Sequence, residues 1–247
     1  MYTIDPKQHE YPEETKTLAM KMYYSGVSGR GVGKVLGMSK ANVYNWIKKA
    51  NQIDKIWISE ATANEVFEMD ELYHFIEYKQ AHETRENVYV MTLISRSPRQ
   101  IVGFSVCLLR KHALRAPTFL RVRDIAKDKS PERLQTMVDS APEAENYATD
   151  GYLSYVDLVY MGNHIRNISN KNDTFTVEGI NADLRHYIPV LARRSRCFCR
   201  TLETLRAVMA VFVDAYNKFG EAKMRYRAKR KLGKKNRELP FGVVDFV

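Results

Sequence analysis

Apolar residues recur at helical spacing through the first fifty residues and then gather into strand-like runs. Glu13 to Tyr24 predicts a helix whose apolar face holds Leu18 and Met22 and, less cleanly, Met20 and Tyr23. Pro12 suits its first turn, and Ser25-Gly26 stops it. A shorter helix is predicted from Arg30 to Leu36, with Val32, Val35 and Leu36 inward and Gly37 ending it. Ser39 then suits the N-cap of a third helix over Lys40 to Lys49. Val43, Trp46 and Ile47, spaced i, i+3, i+4, face inward and leave Lys40, Asn42, Asn45, Lys48 and Lys49 outward. Helix, short helix, glycine turn and polar-faced third helix is the order of a helix-turn-helix. An ordinary three-helix packing unit with no DNA contact has the same outline.

After a connector from Asn51 to Ser59 the period changes. Val66 to Ile76, Val88 to Ile94 and Ile101 to Leu109 are apolar-rich runs of strand length, and Ser97-Pro98-Arg99 turns between the last two. Short connections predict an antiparallel meander. Helical patterns follow over Pro131 to Val138, with Ser130 as cap, and over Leu153 to Tyr160. Tyr147 to Gly151 reads as a short strand ending in an acid, and His164 to Ile168 as another. Thr176 to Arg185 is a helical segment, and Leu202 to Phe219 a strongly apolar helix with Leu205, Val208, Met209, Phe212 and Val213 in the core. Strands first, then alternation, predicts an α/β fold: an N-terminal all-α helix-turn-helix followed by a mixed sheet with flanking helices.

Composition narrows the function. The 247 residues carry 39 Lys+Arg against 29 Asp+Glu, a net charge of +10. An apolar fraction of 45% allows a real core and excludes a disordered tail protein. No run is long and apolar enough for a membrane span, and the polar, acidic start is not a signal peptide. Three cysteines, Cys107, Cys197 and Cys199, without CxxC, exclude a disulfide scaffold and a four-cysteine zinc ribbon, and point to a reducing cytoplasm. Between residues 26 and 50 stand Arg30, Lys34, Lys40, Lys48 and Lys49 with no acid. Between residues 218 and 237 ten Lys and Arg face Glu221 alone. Basic ends around a mildly acidic middle fit phosphate binding outside and metal-holding carboxylates within. Of the amides, Asn42 and Asn45 suit adenine edges, and lysines suit guanine or phosphate.

Three acids stand out. Asp70 lies inside an apolar strand, where a carboxylate is costly unless something pairs with it. Asp150 ends a later strand before a glycine. Glu178 begins a helical segment, with Asn181 or Ala182 and Arg185 on the same side. Such acids can converge on hard cations such as Mg²⁺, two of which serve an in-line phosphoryl transfer. Spacing alone equally allows each acid to be a cap or a surface residue.

Three stretches resemble the insertion-sequence-one family of DDE transposases: Glu68-Met69-Asp70-Glu71; Thr149-Asp150-Gly151-Tyr152 with Tyr155; and Thr176-Val177-Glu178-Gly179-Ile180-Asn181 through Leu184-Arg185-His186. The last runs on into Leu191-Ala192-Arg193-Arg194-Ser195-Arg196-Cys197-Phe198-Cys199, a basic and aromatic stretch of a kind the family shows. The resemblance implies an RNase H-like domain, a catalytic and metal-binding triad of Asp70, Asp150 and Glu178, and two Mg²⁺ or Mn²⁺ ions. It implies DNA contact by Arg185, Arg193 and Arg194, beside the helix-turn-helix residues named above. The activity implied is cutting at inverted repeats of transposon ends and joining to target DNA, by a homo-oligomer on double-stranded DNA. The chain departs from the family in having no N-terminal zinc ribbon, in Pro189-Val190 after the helix, and in Cys199 where serine is more usual. The division expected is residues 1–55 for the helix-turn-helix, 56–217 for the catalytic domain and 218–247 for a basic tail. The competing readings are a non-catalytic helix-turn-helix repressor or decayed copy, and a nuclease of the same fold.

Overall fold

The computed structural model describes residues 11–51, 57–58, 65–77, 85–109, 131–150, 155–166, 173–193, 197–229 and 239–247. Helices α1 (Glu13–Tyr24), α2 (Gly29–Leu36) and α3 (Lys40–Ala50) open the chain. The Ser28 and Ser39 hydroxyls cap α2 and α3, accepting from the amides of Gly31 and Ala41. Between those helices the chain reverses tightly. Gly37 takes a φ of 66°, and a Cβ on Gly33 would stand 2.5 Å from the Met38 carbonyl oxygen. Only a glycine lets the turn fold back onto α2, so the helix-turn-helix predicted from the glycine pattern forms.

Its apolar faces differ from expectation at two places. Leu18 is 49% exposed and Val35 68% exposed. The buried residues of α1 are instead Ala19, Met20, Tyr23 and Tyr24. Tyr24 sits against Phe212 and donates its hydroxyl to the Val208 carbonyl at 3.0 Å, while Tyr23 packs edge-on against Tyr24 and Tyr44. The large aromatic rings take the inward arc and rotate Leu18 out of it.

Five strands follow: β1 (Val66–Glu77), β2 (Arg85–Ser95), β3 (Gln100–Leu109), β4 (Asn146–Thr149) and β5 (Asn163–Arg166). They stand in the order β3-β2-β1-β4-β5. The first three form the expected antiparallel meander, and β4 and β5 run parallel to β1. This is the RNase H-like order. Helices α4 (Pro131–Ser140), α5 (Phe175–Tyr187) and α6 (Leu202–Lys229) cover the sheet. Alternation along the strands divides the core. Phe67, Met69, Met91 and Leu93 pack with Leu134, Met137 and Val138 of α4. On the other face, Leu72, Ile76, Val88 and Val90 pack with α5 and α6, including the Leu205, Val208, Met209, Phe212 and Val213 predicted for the core. Val32, Val43 and Ile47 of the N-terminal helices belong to that same cluster, so α1–α3 share a core with the sheet.

Three further elements differ from expectation. Residues 155–160 form a turn rather than a helix, because side chains claim the backbone groups. The Gln135 amide oxygen accepts from the Val159 N–H, its amide nitrogen donates to the Val159 carbonyl, and the Tyr160 hydroxyl donates to the Tyr155 carbonyl. The rest of that predicted helix, and Ser130, lie outside the described residues. Helix α6 continues to Lys229, so the expected boundary at 217 falls inside it. The apolar C-terminal stretch docks on this same chain. Val243 is buried, Lys21 pairs with Asp245 at 3.0 Å, and Phe241 meets Phe219 and Tyr226. Among the described residues no helix is long and apolar enough to cross a membrane.

Candidate metal centre

The even-numbered residues of β1 face α5, and two of them are acids. Glu68 is fully buried, and both of its carboxylate oxygens are bonded. Arg96 Nε donates to it at 2.6 Å, and the Val177 N–H at 2.8 Å. Val177 is in the first turn of α5, where Thr174 at the N-cap makes no side-chain cap bond. Glu68 therefore caps α5 from the strand that the helix packs on, where the positive end of the helix dipole favours an anion. Arg96 completes the clamp by donating from Nη2 to the Asp173 carbonyl at 2.7 Å and lying over the Phe175 ring.

With α5 fixed there, Asn181 falls one turn beyond Val177 and meets Asp70. Its Nδ2 donates to Asp70 Oδ2 at 2.9 Å. Thr92, the cross-strand partner of Asp70, donates to Asn181 Oδ1 at 3.2 Å. On the other side of β1, the pairing with β4 ends at Met69 and Thr149. Asp70 and Asp150 are the next residues on these adjacent parallel strands. Glu71 belongs to the opposite face of β1, and its Oε2 accepts from the buried Tyr155 hydroxyl at 2.7 Å. Because β4 stops at Thr149, no strand separates the two faces at this edge. Asp70, Glu71 and Asp150 each offer an oxygen within 4.8 Å of the others.

Burial pushes the Asp70 carboxyl up to about 6, with the charges of Glu71 and Asp150 adding to it and the Glu71 backbone and Asn181 bonds opposing. The Tyr155 hydroxyl is held well above its ordinary value by burial and by Glu71. Arg185, one turn past Asn181, faces Asp70. Burial and Arg193 lower its pKa while the Asp70 charge raises it. His74 lies on the same face of β1, and its buried Nε2 has no hydrogen-bond partner among the described residues. Burial, then Arg185, pushes it down to about 4. Three hard oxygen donors this close, one of them reluctant to ionise, are a donor set that a divalent cation fits.

Two of the three expected acids, Asp70 and Asp150, come together. Glu178 is exposed on the flank of α5 that carries Asn181 and Arg185, and stays outside the close cluster. Glu71 is the residue the sequence reading missed. Its only signal was its place beside Asp70, which strand alternation argues away.

The other expected site residues lie on two surfaces. Arg30 and Lys34 are exposed on α2, as are Lys40, Asn45 and Lys49 on α3. Asn42 is partly covered, lining a groove of about 670 Å³ with Tyr11, Trp46, Lys49 and Val247. Lys48 is engaged by Glu203 of α6 at 3.1 Å. Arg193 is exposed near Arg185, and Arg194 lies outside the described residues, as do residues 230–237 of the basic run. Burial pushes the Cys199 thiol up to about 12. No protein-family model matches this chain, and no curated protein matches it.

Proposed function

We propose that the chain is a DNA transposase of the DDE type, which binds terminal inverted repeats through α2 and α3 and cuts and joins DNA strands at the end of β1 and β4. The observation that carries this reading is the meeting of Asp70 and Asp150 on adjacent parallel strands of an RNase H-like sheet, with Glu71 within 4.8 Å. Asp70, Glu71 and Asp150 would hold one or two Mg²⁺ or Mn²⁺ ions. Bound there, a divalent cation supplies Lewis-acid activation of a water or 3′-hydroxyl and stabilises the leaving 3′-oxygen. The protein's own groups prepare the site. Asn181 and Thr92 set the Asp70 carboxylate, the Tyr155 hydroxyl holds Glu71, and Arg185 offers a guanidinium to a phosphate beside Asp70. Glu178, on the same flank of α5, is the family-implied third acid.

A hydrolytic nuclease of the same fold is the second reading, favoured by the clustering of three carboxylates without Glu178. The experiment is incubation of duplex DNA carrying candidate repeat ends with Mg²⁺ or Mn²⁺, for wild type and Asp150→Asn. Cleavage and strand joining by wild type alone support the transposase. Cleavage without joining supports the nuclease, and equal products from both proteins exclude Asp150 from the chemistry.

A further inference from the structure

The β2–β3 hairpin turns through Arg96-Ser97-Pro98-Arg99, and Arg99 has a φ of 54°. Among the described residues it is the one non-glycine with positive φ. Glycine or asparagine suits such a position, and a residue with a long side chain is strained there. The strain is not offset by a bond, since among the described residues Arg99 makes no hydrogen bond or ion pair. Yet its guanidinium is placed. Nη2 lies against α5, 3.2 Å from where a Cβ on Gly179 would stand. A mid-helix glycine is itself unfavourable, so two local costs converge on seating one guanidinium at this spot.

Cations outnumber the one acid around it. Lys223 of α6 has its ammonium pKa lowered by burial, then by Arg227 and Arg99, with Asp183 opposing. Asp183 also accepts from the Tyr216 hydroxyl at 2.7 Å. Gly179 and Asp183 stand two residues either side of Asn181, hence on nearly the opposite flank of α5 from Asp70. The ridge between the flanks is open, with Phe175, Glu178, Ala182 and His186 exposed. A polyanion crossing that ridge meets the three clustered carboxylates on one side, and at the hairpin three cations, Arg99, Lys223 and Arg227, against the single carboxylate of Asp183.

We propose that Arg99, with Lys223 and Arg227, holds the phosphodiester backbone of duplex DNA lying across α5. This rests on the reading that DNA is engaged at the acid cluster. The strain at Arg99 is kept because a glycine would supply the turn but not the charge.

The test compares wild type with Arg99→Gly, by thermal unfolding and by fluorescence anisotropy on a random-sequence duplex across a KCl series without divalent ions. The expected variant has an unchanged or higher Tm, binds about threefold to tenfold more weakly, and loses about 0.9 from the log–log salt slope. Gly179→Ala, which keeps the charge but displaces it, weakens binding in the same direction. Unchanged binding by Arg99→Gly overturns the proposal. If Tm and binding fall together, Arg99→Lys decides. Recovered binding supports a phosphate contact, and binding as weak as the glycine variant overturns it. A wild type that cleaves DNA while Arg99→Gly binds normally overturns this inference alone. A wild type that shows no metal-dependent cleavage, with binding still sensitive to Arg99, overturns the activity and leaves the contact standing.

Discussion

Glu68 and Asp70 stand two residues apart on one face of β1, and their surroundings are opposite in kind. Glu68 has a guanidinium and a helix N-terminus on its two oxygens. Asp70 has the Asn181 amide, the Glu71 backbone and two like charges beside it, and Arg185 faces it without forming an ion pair. The first carboxylate is balanced and holds α5 in place. The second is pushed up chiefly by burial, with the charges of Glu71 and Asp150 adding to it, and no ion pair among the described residues offsets either. Burial alone does not mark a functional acid, since the more buried of the pair is the anchor. The distinguishing feature is whether the fold supplies the counter-charge.

The largest test of this contrast is a paired substitution. Asp70→Asn should lower metal-dependent DNA cleavage at least about a thousandfold, equivalent to roughly 4 kcal/mol in the barrier. In metal-free protein at neutral pH it should leave the thermal transition unchanged or higher, because a buried charge is removed. Glu68→Gln should do the reverse in kind, destabilising the fold by about 2–4 kcal/mol, because Arg96 and the α5 terminus lose their anion. Denaturant unfolding measures this, and a loss under about 1 kcal/mol would show the clamp to be ornamental.

Metal addition sharpens the contrast next. Mn²⁺ at a hundred times its Kd should stabilise wild type by about 2.7 kcal/mol. Glu68→Gln should retain most of that increment in metal titrations of the folded protein, and Asp70→Asn should lose it. Equal stabilisation of the Asp70 variant would place the ion elsewhere.

The smallest effect is in pH. For metal-free protein, Asp70 rises from its ordinary 3.8 to about 6 on folding. Its contribution is therefore fully present below pH 4 and is lost as pH rises through 6, worth about 1–3 kcal/mol. His74 moves from 6.5 down to about 4. Its contribution has the opposite sign, present above pH 6.5 and lost as pH falls through 4. The two slopes oppose each other in wild type. Asp70→Asn should unmask a stability that falls steadily with acid between pH 6.5 and 4. A flat profile for that variant would mean that His74 titrates normally.

How far the sequence foretold this depends on the range of the forces involved. The meander was legible because Val88 to Ile94 and Ile101 to Leu109 can be little else, and α3 because Ser39, Val43 and Ile47 fix both its start and its inner face. Asp70 drew notice as an acid in an apolar strand and Asp150 for ending one, and the two do stand together. Glu71 was hidden because its role depends on where β4 stops, which is set by tertiary packing rather than by any local pattern. Leu18 misled because it fits a helical spacing that aromatic packing onto α6 overrides, and nothing in the structure explains the exposure of Val35. The turn at Tyr155 to Tyr160 was invisible because the groups that break the helix come from Gln135, twenty-four residues away from Val159.

Helix α6 connects these regions without a joint. Its 28 residues span about 42 Å. Along that length it pairs Glu203 with Lys48 of α3, Asn217 with the backbone of Ile101 and Asp214 with the amide of Trp57. A rod fastened at Glu203 and again, about 21 Å along, at Asn217 is a gauge. If α3 reads DNA and Asp70 acts on it, the number of base pairs between the sequence read and the bond broken is set by this helix. Inserting about five base pairs between them would rotate the scissile phosphate half a turn around the duplex. Helix α6 is unbroken over its 28 residues, so it offers no break at which to follow it.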